Sequence, residues 1–271
     1  MKVYISADIE GVAGITNWEE ADPSNPRSYR EFQERMTDEV LAACQGALDA
    51  GAREIWVKDA HWHGRNLLGD RLPRETRVIR GWSRHPYMMV QELDSSFAAC
   101  AFVGYHSRAG SGGNPLAHTM SSSAFFEVKV NGLPWSEFHL YSQAASLEGV
   151  PSVFVAGDEA LCAEVKAWDE RIETVATKSA QGHSTNSLHP AVACERIREG
   201  MKRALSRDFS RVIRPLAPRY EIEITYKASV DAYRNSFYPG ARLVSDHVVG
   251  LGVENYFDVL RFVTFATTRS T

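Results

Sequence analysis

Short apolar runs recur along this chain, and several of them end in side chains with catalytic or metal-binding chemistry. Runs that are rich in β-branched and aromatic residues and bounded by turn residues are typical of strands. Five runs of this kind predict strands, over residues 3–7, 54–57, 76–79, 98–103 and 151–156. The pattern therefore predicts a sheet that is built from buried strands.

Apolar residues at helical spacing fill much of the chain between these runs. The helix predicted over 36–48 ends near Gly51 and lies between the first two strands, which indicates a right-handed parallel crossover. The other predicted helices cover 87–93, 135–147, a segment that opens at His189-Pro190, and Val253–Thr268. The last helix is apolar on most faces, so it is either deeply buried or covered by another subunit.

The less regular segments predict loops and two further strands. Residues 16–31 are polar and contain prolines, which favours a loop that forms a rim or lid over the end of the first strand. Residues 125–130 run into Asn131-Gly132, which is typical of a strand that enters a tight turn. Glu221–Tyr226 alternates polar and apolar residues, which favours a strand near a sheet edge.

Strands that alternate with helices predict an α/β fold with a mostly parallel open sheet and flanking helices. No change in composition marks a linker, so we expect residues 1–271 to form a single domain. Residues 107–134 interrupt the alternation and are expected to form a small irregular excursion beside the active site. Open sheets of this class bind their ligands at the carboxyl ends of the strands, where we expect the functional site.

Composition and charge exclude several classes of protein. Of the 271 residues, 44% are hydrophobic and 24% are charged, as in ordinary globular proteins. A net charge of −4 provides no basic surface for nucleic acid. No run approaches the ~20 apolar residues that span a membrane, and the first residues do not resemble a signal peptide, so we expect a cytoplasmic protein. The four cysteines form no Cys-x-x-Cys pair, which indicates buried free thiols and argues against a thiolate zinc site.

Side chains that bind metals follow three of the predicted strands. Asp8 and Glu10 come directly after the first strand, next to Gly11, which permits a close approach of the backbone. His61 follows the second strand, and His106 follows the fourth. Because the carboxyl ends of parallel strands meet at one edge of a sheet, we expect these side chains to lie close together.

Two further residues complete the set of candidates. Glu137 stands near the start of a predicted helix, and His118 follows the glycine-rich segment 110–115. A segment of that composition is expected to move, which suits His118 to meeting a substrate better than to holding a metal. Carboxylates mixed with imidazoles favour zinc, manganese or cobalt over magnesium or calcium. Five ligands fit two ions ~3.5–4 Å apart that share one carboxylate and activate a water, and we choose Asp8 as the bridge.

Several nearby residues have more than one interpretation. Asp59 could cap a turn. His63 competes with His61, because a His-x-His pair can also chelate a metal, although His61 is nearer the strand end. Asp158 and Glu159 either join the site or cap the next helix, and the cap is favoured. The remaining histidines are interpreted as structural or exposed, and they are His85, His139, His183, His189 and His247.

The spacing of the candidate residues resembles the signature of the zinc-dependent D-aminopeptidase family. The segments that carry the resemblance are Ser6-x-Asp8-x-Glu10-Gly11, Asp59-x-His61, Gly104-Tyr105-His106-x-Arg108-Ala109, His118-x-Met120, Glu137, Val155-Ala156-Gly157-Asp158 and Val175-Ala176-x-Lys178. Each segment alone is not specific to this family, but the whole set at this spacing is. It covers most of the chain, and the C-terminal part matches weakly.

This resemblance implies that five residues bind two zinc ions through a bridging carboxylate. The five residues are Asp8, Glu10, His61, His106 and Glu137. It also implies that His118 is catalytic, that the substrates are short peptides with N-terminal D-residues such as D-Ala, and that ten subunits form a ring around the active sites. The chain departs from the family's founding member in loop 16–31, in Gly112-Gly113-Asn114 and in its C-terminal third, which bears on the side-chain and D/L preference.

Two other functions fit part of the pattern. A haloacid-dehalogenase-like phosphohydrolase would use the acidic turn after the first strand, a lysine such as Lys178 and the Gly157-Asp158 pair. Against that hypothesis, Glu10 stands where a second aspartate is expected. The hypothesis also leaves the three candidate histidines without a role. A metal or peptide binder without enzymatic activity is the third hypothesis, and turnover of any amide substrate would exclude it.

Overall fold

The computed structural model describes residues 1–210 and 212–267. The strands are β1 (Lys2–Ala7), β2 (Glu54–Asp59), β3 (Thr76–Ile79), β4 (Ala99–Tyr105), β5 (Phe125–Val130), β6 (Leu133–Pro134), β7 (Ser152–Asp158), β8 (Glu173–Gln181), β9 (Ser184–Ser187), β10 (Tyr220–Tyr226), β11 (Ala241–Ser245) and β12 (Val248–Val253). The helices are α1 (Trp18–Ala21), α2 (Pro26–Asp49), α3 (Glu137–Leu147), α4 (Glu159–Trp168), α5 (Pro190–Ser206), α6 (Ser229–Asn235) and α7 (Tyr256–Thr267). Within the described ranges, none of these helices has the length and apolar character needed to cross a membrane.

A seven-stranded sheet with the order β3-β2-β1-β4-β7-β8-β9 forms the centre of the molecule. The β8 and β9 strands pair antiparallel, and the other neighbours run parallel, so the predicted mostly parallel sheet with flanking helices is confirmed. Ala7 at the end of β1 lies level with Asp59 on β2 and with Val103 on β4. The residues that follow these three strands therefore leave the sheet at the same edge.

Both faces of this sheet are covered, which explains the continuous apolar runs of its strands. Val3 and Ile5 of β1 pack against α2 and α5 on one face. Tyr4 packs on the opposite face, in a core that includes α3, α7 and a second sheet. All three side chains are fully buried. The sheet therefore divides the interior into two cores and holds β1 between them.

The second sheet is antiparallel and has the order β11-β12-β10-β5-β6. Its β5 strand lies inside the segment 107–134, so that the predicted irregular excursion contains one regular element. The predicted turn at Asn131-Gly132 joins β5 to β6, and both residues have the positive φ that such a turn requires. The single-domain interpretation of residues 1–271 stays a prediction.

The expectation that Glu221–Tyr226 lies near a sheet edge is wrong, because β10 is the middle strand of the second sheet. Its alternation has another cause. Tyr220, Ile222, Ile224 and Tyr226 are buried, and the residues between them are partly exposed. A central strand with one covered face alternates as an edge strand does.

Most of the loop predicted over 16–31 is helical. The Asn17 side chain and Glu20 form a capping box that starts α1. Pro26 opens α2 in the first helical turn, where its missing N–H costs nothing. The prolines and polar residues that suggested a loop therefore mark the starts of two helices.

The final helix is shorter than the predicted Val253–Thr268. Val253 ends β12, and Thr268 lies outside the described residues. The buried residues of α7 are Tyr256, Val259, Leu260, Phe262, Val263 and Ala266. The chain itself therefore covers most of the apolar surface of this helix. The brief helix predicted over 87–93 is a 3-10 turn at Met88–Val90.

Candidate metal centre

Four elements bring the five predicted metal ligands together. Asp8 and Glu10 follow β1, His61 follows β2, His106 follows β4, and Glu137 is the first residue of α3. Each of the five is at most 4% exposed. Buried carboxylates and imidazoles at such a density are costly to desolvate unless a counter-charge compensates them.

Distances within the cluster place Asp8 between the two histidines. His61 Nδ1 lies 3.3 Å from Asp8 Oδ1 and 3.2 Å from Glu10 Oε2. His106 Nε2 lies 3.6 Å from Asp8 Oδ2 and 3.4 Å from Glu137 Oε2. One carboxylate oxygen of Asp8 therefore faces His61, and the other faces His106. Asp8 belongs to two groups that could hold a metal, one with Glu10 and His61 and one with His106 and Glu137. This is the arrangement that a bridging carboxylate requires.

Each histidine of the cluster has its tautomer set by a backbone carbonyl. His61 Nε2 donates to Ala21 O over 2.7 Å, and His106 Nδ1 donates to Ser107 O over 2.9 Å. Because a carbonyl can only accept, the bonded ring nitrogen carries the proton and the other presents a lone pair to the cluster. Protein metal sites orient their histidines in this way.

Two buried atoms of the cluster indicate that a cation would fit between its side chains. Glu10 Oε2 and His106 Nε2 have no hydrogen-bond partner in the described part of the chain. Both are acceptors that face other acceptors, so a cation would satisfy them where no donor does. Burial lowers the pKa of His106, but Glu137, Glu10 and Asp8 outweigh burial and raise the pKa to about 10, so without a metal ion a proton on Nε2 would take the place of the cation. The same negative potential favours a divalent cation, and the mixed oxygen and nitrogen donors suit zinc.

Glycines allow the backbones of the strand ends to approach each other. A Cβ atom on Gly11 would lie 1.8 Å from Tyr105 O, and one on Gly104 would lie 2.1 Å from Asp8 O. Gly11 N donates to Gly104 O over 2.8 Å. The close contact between the β1 and β4 exits therefore depends on both glycines, and it brings Asp8 near His106.

Asp59, Asp158 and His63, whose roles the sequence left open, lie outside the groups that could hold a metal among the described residues. Asp59 accepts from Asn66 Nδ2, and the same amide donates to His61 O, so Asp59 holds the turn that carries His61. Asp158 caps α4 at Leu161 N. His63 lies in the wall of the adjoining cavity and belongs to none of the groups that could hold a metal.

His118 lies at the rim of the cluster. Its Nε2 is 3.6 Å from Glu137 Oε1, and its ring stacks on that of His106 with centroids 4.3 Å apart. Its Nδ1 donates to Leu116 O, so Nε2 carries the lone pair. Burial and the charge of His106 lower the pKa of His118. His118 also forms a third group that could hold a metal, with Glu10 and His106.

The segment before His118 is held more firmly than its glycines suggest. Asn114 is buried and donates to Glu10 O over 2.9 Å and to Asp158 Oδ2 over 3.0 Å. After His118, the Thr119 hydroxyl donates to Trp135 O. These contacts do not support the expectation of a mobile segment.

A cavity of about 1240 Å³ adjoins the cluster. Its aromatic and thioether lining consists of Trp18, Trp62, Trp82, Met88, Met89, Met120, Phe257 and Phe265. Four non-glycine lining residues have positive φ, namely Trp62, Arg84, Met88 and Met120. Strained backbone of this kind gathers at binding sites. Apart from Met120, which belongs to the His118-x-Met120 segment, the sequence pattern did not identify these residues or the contribution of α7, because contacts between distant segments form this wall.

Comparison with known proteins gives consistent matches. The family model described as D-aminopeptidase matches residues 1–265. A D-aminopeptidase of Bacillus subtilis (strain 168) is 32% identical over 222 residues, which cover 80% of this chain and 78% of the relative. The solved structure of the Zn-dependent D-aminopeptidase DppA from Bacillus subtilis, a self-compartmentalizing protease, superposes with a TM-score of 0.91. It is 26% identical in sequence, and the match covers 98% of this chain and 97% of that structure.

Proposed function

Because this chain belongs to the D-aminopeptidase family, we propose that it is a binuclear zinc aminopeptidase that removes the N-terminal residue from short peptides. The observation that carries the proposal is the position of Asp8, which belongs to two separate groups of potential metal ligands. The similarity to a Zn-dependent enzyme supports zinc as the metal. The proposed ligands are Asp8, Glu10, His61, His106 and Glu137.

The proposed roles follow from the chemistry of each group. Zinc ions held by these residues would supply a water that ionises at neutral pH and would polarise the scissile carbonyl. The protein fixes the imidazole orientations through the carbonyls of Ala21 and Ser107. His118 Nε2 faces the same space and is our choice for the group that transfers a proton. The cavity beside the cluster has room for a short peptide.

The phosphohydrolase hypothesis is not supported, because the family match assigns the chain to the D-aminopeptidases. Its expected residues also serve other purposes. Lys178 is buried and donates to Glu10 O and Ile15 O, both over 2.7 Å. Asp158 caps α4. Lys178 therefore braces the backbone around Glu10 from behind the cluster and does not face the cavity.

Activity and metal content together test the proposal. We expect protein purified without chelator to contain about two equivalents of zinc, manganese or cobalt per chain. It should hydrolyse D-Ala-p-nitroanilide and leave p-nitrophenyl phosphate intact. Dialysis against a chelator should remove the activity, and added zinc should restore it. An active sample with a single magnesium ion and no transition metal would refute the two-metal assignment.

We also propose that the chain forms a homo-oligomer, most simply a ring of ten. The similarity to a self-compartmentalizing protease supports this proposal. The apolar surface of α7 adds little support, since the chain buries most of it and leaves Phe265 exposed. Three strongly exposed apolar side chains lie close together in the chain, at Val230, Tyr233 and Phe237, with exposures of 70%, 60% and 71%. A patch of this kind marks an interface more often than an ordinary surface.

Light scattering at micromolar concentration is expected to show the mass of an oligomer. Replacing Phe237 with aspartate should reduce that mass, because the carboxylate would be buried without a partner. Replacing exposed Glu199 on α5 with alanine serves as the control. A monomeric wild-type protein would refute the oligomer.

The proposed compartment is the cytoplasm. The cysteines at positions 44, 100, 162 and 194 are free, and three of them are buried. Free cysteines of this kind are typical of proteins in a reducing environment.

A further inference from the structure

Charge is unevenly distributed in the cavity beside the metal cluster. Among the described residues that line it, the carboxylates are Asp8, Glu10 and Glu137, and all three belong to the cluster. The guanidinium groups of the lining are those of Arg84 and Arg261. The proposed hydrolysis at the cluster assigns no role to either arginine. Both lie on a wall that is formed by residues 82–88 and by α7.

Arg84 is presented to solvent from a strained backbone. Its φ is 69°, a conformation that is unfavourable for a residue with a side chain. The neighbouring contacts keep the segment in place, since Trp82 Nε1 donates to Trp62 O and Ser83 N donates to Gln91 Oε1, both over 2.8 Å. Within the described ranges, no hydrogen bond or ion pair involves the Arg84 side chain. The fold thus holds the Arg84 guanidinium at the cavity, where it can pair with a bound anion.

Arg261 is oriented by its own helix. Its Nη1 lies 2.6 Å from Asp258 Oδ1, and its guanidinium stacks over Phe257 at 5.2 Å from the ring centroid. The Phe257 ring in turn contacts the His85 ring, with centroids 5.7 Å apart. These contacts join α7 to the segment that carries Arg84. A guanidinium has five N–H donors, so Arg261 retains donors for a second anion.

We propose that Arg84 and Arg261 bind the C-terminal carboxylate of the peptide substrate. This inference rests on the proposed function, in which the N-terminal end of the peptide lies at the metal cluster. A short peptide then carries its free carboxylate into the same cavity, and the cavity offers two guanidinium groups, whose planar donors match a carboxylate. Arg84 and Arg261 would therefore select short peptides with a free C-terminus over amidated ones.

The test compares D-Ala-D-Ala with D-Ala-D-Ala amide. We expect the wild-type protein to favour the free acid by about 10- to 100-fold in kcat/KM, the range for one or two charge-assisted hydrogen bonds. Arg84→Gln and Arg261→Gln should each reduce this ratio, and Arg84→Lys should retain part of it. The ratio separates carboxylate binding from a general loss of structure, which would lower both rates together.

Arg80→Gln is the matched control, because Arg80 is an exposed arginine four residues earlier and outside the cavity lining. A wild-type ratio close to one, or a ratio that survives both glutamine substitutions, would overturn the carboxylate site. If neither peptide is hydrolysed, the proposed function fails. In that case, calorimetry measures the affinity of the protein for the same two peptides. The ratio of the two affinities then tests the carboxylate site separately.

Discussion

Replacing Asp8 with alanine is expected to remove at least one metal ion and to abolish peptidase activity. The reason is the position of its two oxygens, one near His61 and one near His106. Loss of a residue that only supports a ligand typically costs ~10–100-fold in metal affinity or activity. Loss of a ligand that two ions share should cost more. Elemental analysis and the D-Ala-p-nitroanilide assay measure the two effects on one sample.

Two variants separate loss of the metal from loss of the fold. Asp8→Asn keeps the shape of the side chain and the acceptor for Ile9 N but removes the charge. Asp70→Asn makes the same change at an exposed carboxylate away from the cluster and should keep both metal and activity. If Asp8→Asn and Asp8→Ala both retain two metal equivalents, Asp8 does not bridge the ions.

The second large effect is expected at His118. His118→Ala should lower kcat by ~10²–10⁴, the usual range for lost general acid–base catalysis, while the metal content stays the same. The structure also allows His118 to be a metal ligand, because it groups with Glu10 and His106 at distances that a metal could span. Measuring metal content beside kcat therefore decides between a proton-transfer group and a ligand.

His183→Ala is the control for His118, since His183 is an exposed histidine in the turn between β8 and β9. It should leave kcat unchanged. A His118 variant that loses one metal equivalent would make His118 a ligand. A His118 variant with full activity would mean that another group moves the proton.

The sequence by itself determined seven of the twelve described strands, the fold class and the candidate residues at strand ends. β1, β2 and β4 are read from short apolar runs, because a buried strand needs a continuous series of apolar side chains. Parallel pairing then requires that Asp8, His61 and His106 leave the sheet at one edge. The roles of Glu137 and His118 came from the resemblance to the D-aminopeptidases.

Other features depend on contacts between segments that are distant in the chain. The central place of β10, the packing of α7 against α3 and the cavity wall around Arg84 belong to this group. A local pattern reports which face of an element is buried, but it does not name the element that covers that face. The left-handed backbone at Arg84 has no such pattern, because only packing overrides the intrinsic preference of a non-glycine residue. For these reasons the proposed metal ligands could be predicted from the sequence, and the cavity wall beside them was decided by the tertiary structure.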